Sequence, residues 1–185
     1  MNDYLFPRPA GREKSRVRYG LPARNSAGDG FTCVYCHAYV STHPILSGVE
    51  NRNHCLFCLW SRHLDLYAAG DRLSACKALM QPVGLTVKAT YKKYGPARGE
   101  LMIIHACSEC EKLSINRIAA DDDPQTAFNV FEGSFHLETG LQIQLELSDI
   151  RVLKRSDHDA VRTSLFGQAD RLVEAFFKSN VLEFD

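Results

Sequence analysis

Hydrophobic spacing changes character several times along the chain, and each change predicts an element. Residues 1–28 alternate Arg, Pro and Gly without apolar periodicity, which predicts a flexible arm. At Phe31 order sets in: FTCVYCHAYV predicts a strand, a tight turn and a second strand. HCLFC repeats the turn, and LWSRHLDLYAAG after it predicts a short helix ending near Gly70. Beyond a loop around Cys76, LTVKATY and LMIIHAC predict a hairpin joined through KKYGPARGE, and SINRIA a strand leaving the third turn. Asp123 followed by Pro124 predicts a capped helix that runs through Phe131 and stops at Gly133. In GLQIQLEL, Leu141, Ile143, Leu145 and Leu147 alternate with polar residues, the period of a half-buried strand. Ser156 is the expected cap of a last helix with an apolar stripe of Val161, Leu165, Leu172, Val173, Phe176 and Phe177.

The 185 residues, 45% hydrophobic and 24% charged, suffice for one packed domain with an appendage. No apolar run approaches the ~20 residues of a membrane span. The N-terminal MNDYLFPRPAGREKSRVRYG lacks the apolar segment of a secretory signal, so a cytoplasmic setting is expected. In such a reducing setting seven cysteines, an odd number, are not expected to form disulfides. The net charge of zero conceals an asymmetry. Residues 1–28 hold six basic and two acidic side chains, residues 29–118 ten and seven, and residues 119–185 six and thirteen.

Six of the cysteines are paired at a two-residue gap: Cys33 with Cys36, Cys55 with Cys58, and Cys107 with Cys110. Packing alone gives no reason for that interval, whereas a tight turn across it aims two sulfurs at one tetrahedral ion. Cys33, Cys36, Cys55 and Cys58 therefore form a candidate four-cysteine zinc site. Cys107 and Cys110 need two further ligands. Cys76 is the one cysteine remaining, and His63 is preferred as the fourth ligand over His105, which shares the strand entering Cys107. A crosswise division of the pairs between the two ions stays open. His54 reads as a neighbour of the ligands, and Arg52, Arg62 and Arg72 as cations able to offset thiolate charge. With two Zn2+ and seven thiolates, the basic surplus is confined to the arm.

NRNHCLFCLWSRHLD resembles the signature of the RNHCP domain, a bacterial family named after that pentapeptide. CKALMQPVG and HACSECEKLSINRIAADDDP continue the resemblance in the same order, so it covers about residues 29–125. It implies a zinc-binding domain and assigns no reaction. The chain departs from the family pattern at Leu56, where the named proline would stand, and at His37, Glu111 and Ala120, where glycine is usual. A non-glycine residue in a left-handed turn costs of order 1 kcal/mol.

These readings combine into an α+β protein with a basic arm over 1–28 and a zinc-ribbon-like domain with three C-x2-C knuckles and short hairpins over 29–127. An αβ extension over 128–185, ending in an amphipathic helix, completes it. The expected role is a non-enzymatic zinc module contacting nucleic acid or protein. Arg8, Arg12, Lys14, Arg16, Arg18 and Arg24 of the arm can neutralise phosphates, and Tyr4, Phe6 and Tyr19 among them can stack on bases. The alternative is an HNH-like endonuclease using His43 and His63 around Pro44, Gly48 and Asn51, although Thr42 stands where an acidic partner is usual. A redox C-x2-C would need a thioredoxin-like βαβ context, and none is legible. No Gly-rich phosphate loop, Ser-His-Asp arrangement, membrane anchor or small-molecule substrate is legible either.

Overall fold

The computed structural model describes residues 30–89 and 99–167. The basic arm, most of the KKYGPARGE connection, and Leu172, Val173, Phe176 and Phe177 of the last stripe lie outside the described residues. Strands β1 (Gly30–Thr32) and β2 (Tyr39–Ser41) pair antiparallel around the first knuckle, with Phe31 opposite Val40. A one-turn helix α1 (Pro44–Ser47) follows, and β3 (Ser61–Arg62) leaves the second knuckle. β3, β4 (Leu79–Lys88), β5 (Glu100–Cys107) and β6 (Leu113–Arg117) form an antiparallel sheet in that order. Helices α2 (Pro124–Gly133), α3 (Thr139–Leu147) and α4 (His158–Phe166) complete the chain. The architecture is α+β and zinc-ribbon-like.

Four expectations from local pattern are corrected. LWSRHLDLYAAG is not a helix: Ser61 and Arg62 pair with Met80 and Leu79, and the rest is a loop. Its backbone donors go to carboxylates instead of i−4 carbonyls. Asp71 accepts from Leu66, Tyr67 and Ala68 at 2.9 Å each, and Asp65 accepts from Gly70 at 2.8 Å. The first hairpin strand starts at Leu79 rather than Leu85, because Pro82 and Gly84 sit at a β-bulge instead of a turn. GLQIQLEL is helix α3, not a strand. Its inward residues are Leu141, Gln144 and Leu145, a helical spacing, while Ile143 and Leu147 face solvent at 53% and 83% exposure. Ser156 does not cap the last helix. It lies in a 3-10 turn (Arg155–Asp157), where Asp157 accepts from the Lys154 N–H, and α4 starts two residues later.

Two apolar clusters hold the sheet between helices. Leu59, Leu85 and Ile103 pack with Ala127, Phe128 and Phe131 of α2, Leu153 and Val161. Val83 and Ile104 pack with Leu145 of α3. Ile103 and Ile104 are successive residues of β5 and so point to opposite faces, one cluster on each. The expected division at 127/128 falls inside α2, whose side chains on both sides of it enter one cluster.

Phe131 is fully buried at the centre of the first cluster. Its truncation leaves a cavity that rigid strands cannot close. Phe131→Ala is expected to lower unfolding stability by about 3–5 kcal/mol, measured as a shift in the denaturant midpoint. A cost below about 1 kcal/mol contradicts this packing.

Candidate metal centre

Three knuckles share one backbone device. The N–H of the first cysteine donates to a carbonyl five residues on: Cys33 to Ala38 at 2.9 Å, Cys55 to Trp60 at 2.9 Å, and Cys107 to Lys112 at 3.0 Å. The fifth residue of each turn is left-handed: His37 at φ 62°, Leu59 at 60° and Glu111 at 59°. None of these is glycine, so each bears the strain that a Cβ incurs there. His37 and Glu111 already stand out in the sequence as departures from glycine. Leu59 does not, because its hydrophobic side chain reads as ordinary core, which it also is: it is fully buried in the first cluster. Ala120 is not in this conformation. Its N–H donates to Ser47 O at 2.8 Å.

The knuckles bring eight donors into two sets of four, each with its ligand atoms within 4.8 Å of one another: Cys33, Cys36, Cys55, Cys58 and His63, Cys76, Cys107, Cys110. The seven cysteines are free, so no disulfide accounts for the convergence. Sulfurs approach to 3.6 Å for Cys33–Cys58, 3.5 Å for Cys36–Cys55 and 3.7 Å for Cys76–Cys107. His63 Nδ1 lies 3.2 Å from the Cys110 sulfur. Thiolates ~2.3 Å from a tetrahedral ion would stand about 3.8 Å apart, so the residues fit zinc. Burial pushes the Cys55 and Cys58 thiols up, while the Ala38 backbone N–H pulls Cys36 down. A bound zinc ion would supply the positive charge that keeps buried sulfurs ionised.

The sets divide sequentially along the chain, the first two knuckles in one and the third in the other. The first set ties the β1–β2 hairpin to the second knuckle, and Tyr35 stacks on Trp60 across them at 4.2 Å and 7°. The second draws ligands from beside β3, before β4, the end of β5 and the turn into β6. His105 is elsewhere. It is buried, and burial pushes its pKa down to about 3, leaving a neutral ring. Its Nε2–H donates to Leu59 O at 2.7 Å, and its Nδ1 accepts from the Asn116 amide at 2.9 Å.

Arg52 and His54 do not hydrogen-bond thiols among the described residues. Both converge on Asp122. Arg52 Nη2 donates to Oδ1 at 2.5 Å, His54 Nε2 to Oδ2 at 2.8 Å, and the Ala119 N–H also donates to Oδ2 at 2.8 Å. Arg52 Nη1 reaches Asp121 at 2.7 Å. Arg52 and Asp122 have fully buried side chains, so this clasp excludes water. Nearby, the Asp123 N–H donates to Leu56 O at 2.9 Å, fixing the second knuckle to the start of α2. The aspartates were missed as partners because a DDDP run reads as a solvated cap. The available signal was an arginine within an otherwise apolar, cysteine-rich stretch, which needs an acid if buried. Arg62 donates to Lys77 O through Nε at 3.1 Å and Nη2 at 3.0 Å, beside Cys76. Arg72 lies 3.8 Å from Asp65.

His43 joins no ligand set among the described residues. It caps α1, its Nδ1 accepting from the Ile45 N–H at 3.3 Å. The arm's six cations lie outside the described residues. In comparisons with known proteins, the RNHCP domain matches residues 28–128. No curated protein and no solved structure matches the chain.

Two outcomes follow from this geometry. Metal analysis of the purified chain is expected to give about two zinc ions, from two complete tetrahedral sets. Cys36→Ser and Cys110→Ser are each expected to lower that ratio towards one, and a wild-type ratio near zero removes both sites. Asp122→Ala strands Arg52 without its buried partner and is expected to cost about 3–5 kcal/mol in chemical denaturation. A loss below about 1 kcal/mol would mean that the clasp is dispensable.

Proposed function

The chain belongs to the RNHCP domain family, and from that premise we propose that it is a non-enzymatic zinc module that engages nucleic acid. The observation that carries this reading is the completeness of both ligand sets. Catalytic zinc keeps a coordination position open for water or substrate, whereas four protein donors per ion leave none. Zinc in such a place supplies folding free energy and fixes a surface.

Nucleic acid is favoured by the arm, where Arg8, Arg12, Lys14, Arg16, Arg18 and Arg24 stand among Tyr4, Phe6 and Tyr19. A protein partner is the second reading, favoured by Tyr39, Ile45 and Tyr67, exposed at 63%, 86% and 86%. The HNH-like endonuclease has less support, because His63 groups with three cysteines and His43 with no ligand set among the described residues.

Filter binding of single-stranded oligonucleotides across a salt series tests the reading. Removing residues 1–28 is expected to weaken binding and lower the log–log salt slope by roughly three, for three or four phosphates released. His43→Ala is expected to leave binding unchanged. An unchanged slope without the arm overturns its assignment. Divalent-metal-dependent cleavage that His43→Ala abolishes replaces the module with the endonuclease.

A further inference from the structure

Between the first hairpin and β3 lies a cavity of about 330 Å3, bordered by Phe31 and Thr32 on one side, Trp60, Arg62 and Arg72 on the other, and Arg52 and Asn53. We propose that this cavity seats one nucleotide unit, its base against Trp60 and its phosphate between Arg62 and Arg72. The inference deepens the nucleic-acid reading by adding a site on the folded domain to the one assigned to the arm.

Three features of the lining select the ligand. The first is charge. Three arginines and no carboxylate border the cavity. Arg52 is offset by Asp121 and Asp122, which leaves Arg62, with no carboxylate partner among the described residues, and Arg72, 3.8 Å from Asp65. Both Arg62 and Arg72 are exposed. The site therefore favours an anion, and guanidinium forks suit phosphate. The second feature is aromatic. Tyr35 covers one face of the Trp60 ring in a near-parallel stack, and a planar base on the remaining face would extend it. The third is polar. No hydrogen bond among the described residues uses the Asn53 side chain or the Thr32 hydroxyl, and a carboxamide presents a donor and an acceptor to a base edge. The volume lies at the small end of ligand sites, enough for one unit.

Arg72 adds an unusual circumstance. Its backbone is left-handed at φ 55°, a conformation in which glycine is free of strain and arginine is not. A glycine there removes the cation without a backbone penalty. That separates binding from folding.

Trp60 is the only tryptophan of the chain, so its fluorescence reports the cavity directly. The full-length, zinc-loaded protein is titrated with AMP, with a single-stranded oligonucleotide and with pyrophosphate. AMP and the oligonucleotide are expected to quench Trp60. Arg72→Gly is expected to raise both half-saturation concentrations about tenfold, with zinc content and melting temperature unchanged. Quenching by the strand at far lower concentration than by AMP identifies strand as the source of the nucleotide, and equal concentrations identify free nucleotide. Alanine at the six arm cations is expected to weaken the oligonucleotide and leave AMP untouched. Three outcomes overturn the site: no quenching by AMP or oligonucleotide, the same response to pyrophosphate, or quenching indifferent to Arg72→Gly. Oligonucleotide binding that depends on the arm without quenching Trp60 overturns the cavity alone and leaves the nucleic-acid reading standing.

Discussion

Four soft donors crowded within hydrogen-bonding range of one another are the constraint on which the rest of this structure depends. Buried thiols resist ionisation, and ionised thiolates repel each other, so their convergence is favourable chiefly around a cation. The protein makes that arrangement twice, with the same turn used three times. The left-handed residue closing each turn costs free energy locally, and ligation offsets it. Because the sulfurs are fixed, the short strands beside them need little stability of their own. β1 and β2 have three residues each and β3 has two, lengths that would not persist as an isolated hairpin.

The Arg52–Asp122–His54 clasp joins this metal-organised half to the helical half. Asp122 ends the segment after β6, one residue before the Asp123 cap of α2, while Arg52 and His54 lead into the second knuckle. One carboxylate thus fixes both the approach to a ligand pair and the launch of the helix that covers the sheet. His105 extends the polar interior by holding the Leu59 carbonyl at the strained end of that knuckle. Two histidines close to cysteines therefore act as hydrogen-bonding supports, and His63 stands among the ligands.

What the sequence makes legible depends on whether the determinant is local. The cysteine spacings and the Asp123-Pro124 cap are short-range chemistry, and the knuckles and α2 start where those residues put them. Alternation misled at Leu141–Leu147, because leucines at every second position also satisfy part of a helical face. Leu, Gln and Glu, good helix formers with little β preference, were the better guide. The apolar spacing of LWSRHLDLYAAG looked helical, but Asp65 and Asp71 take the backbone donors and pin a loop. Pro82 and Gly84 resembled a turn until pairing with β5 absorbed them in a bulge. The clasp links residues 70 apart in sequence, a distance no window spans.

The two ligand sets also differ in the length of chain they enclose. The first links residues 25 apart and the second residues 47 apart. Closing the longer segment costs roughly 0.6 kcal/mol more in chain entropy, and it waits on strands β4 and β5 finding their register. Synthesis proceeds from the N-terminus, so the first set is complete while Cys107 and Cys110 have yet to emerge. The order of assembly is thereby written into the spacing. A metal-bound N-terminal knuckle pair forms early, presents Leu59 and Trp60 as a fixed edge, and gives the later sheet a template against which to assemble.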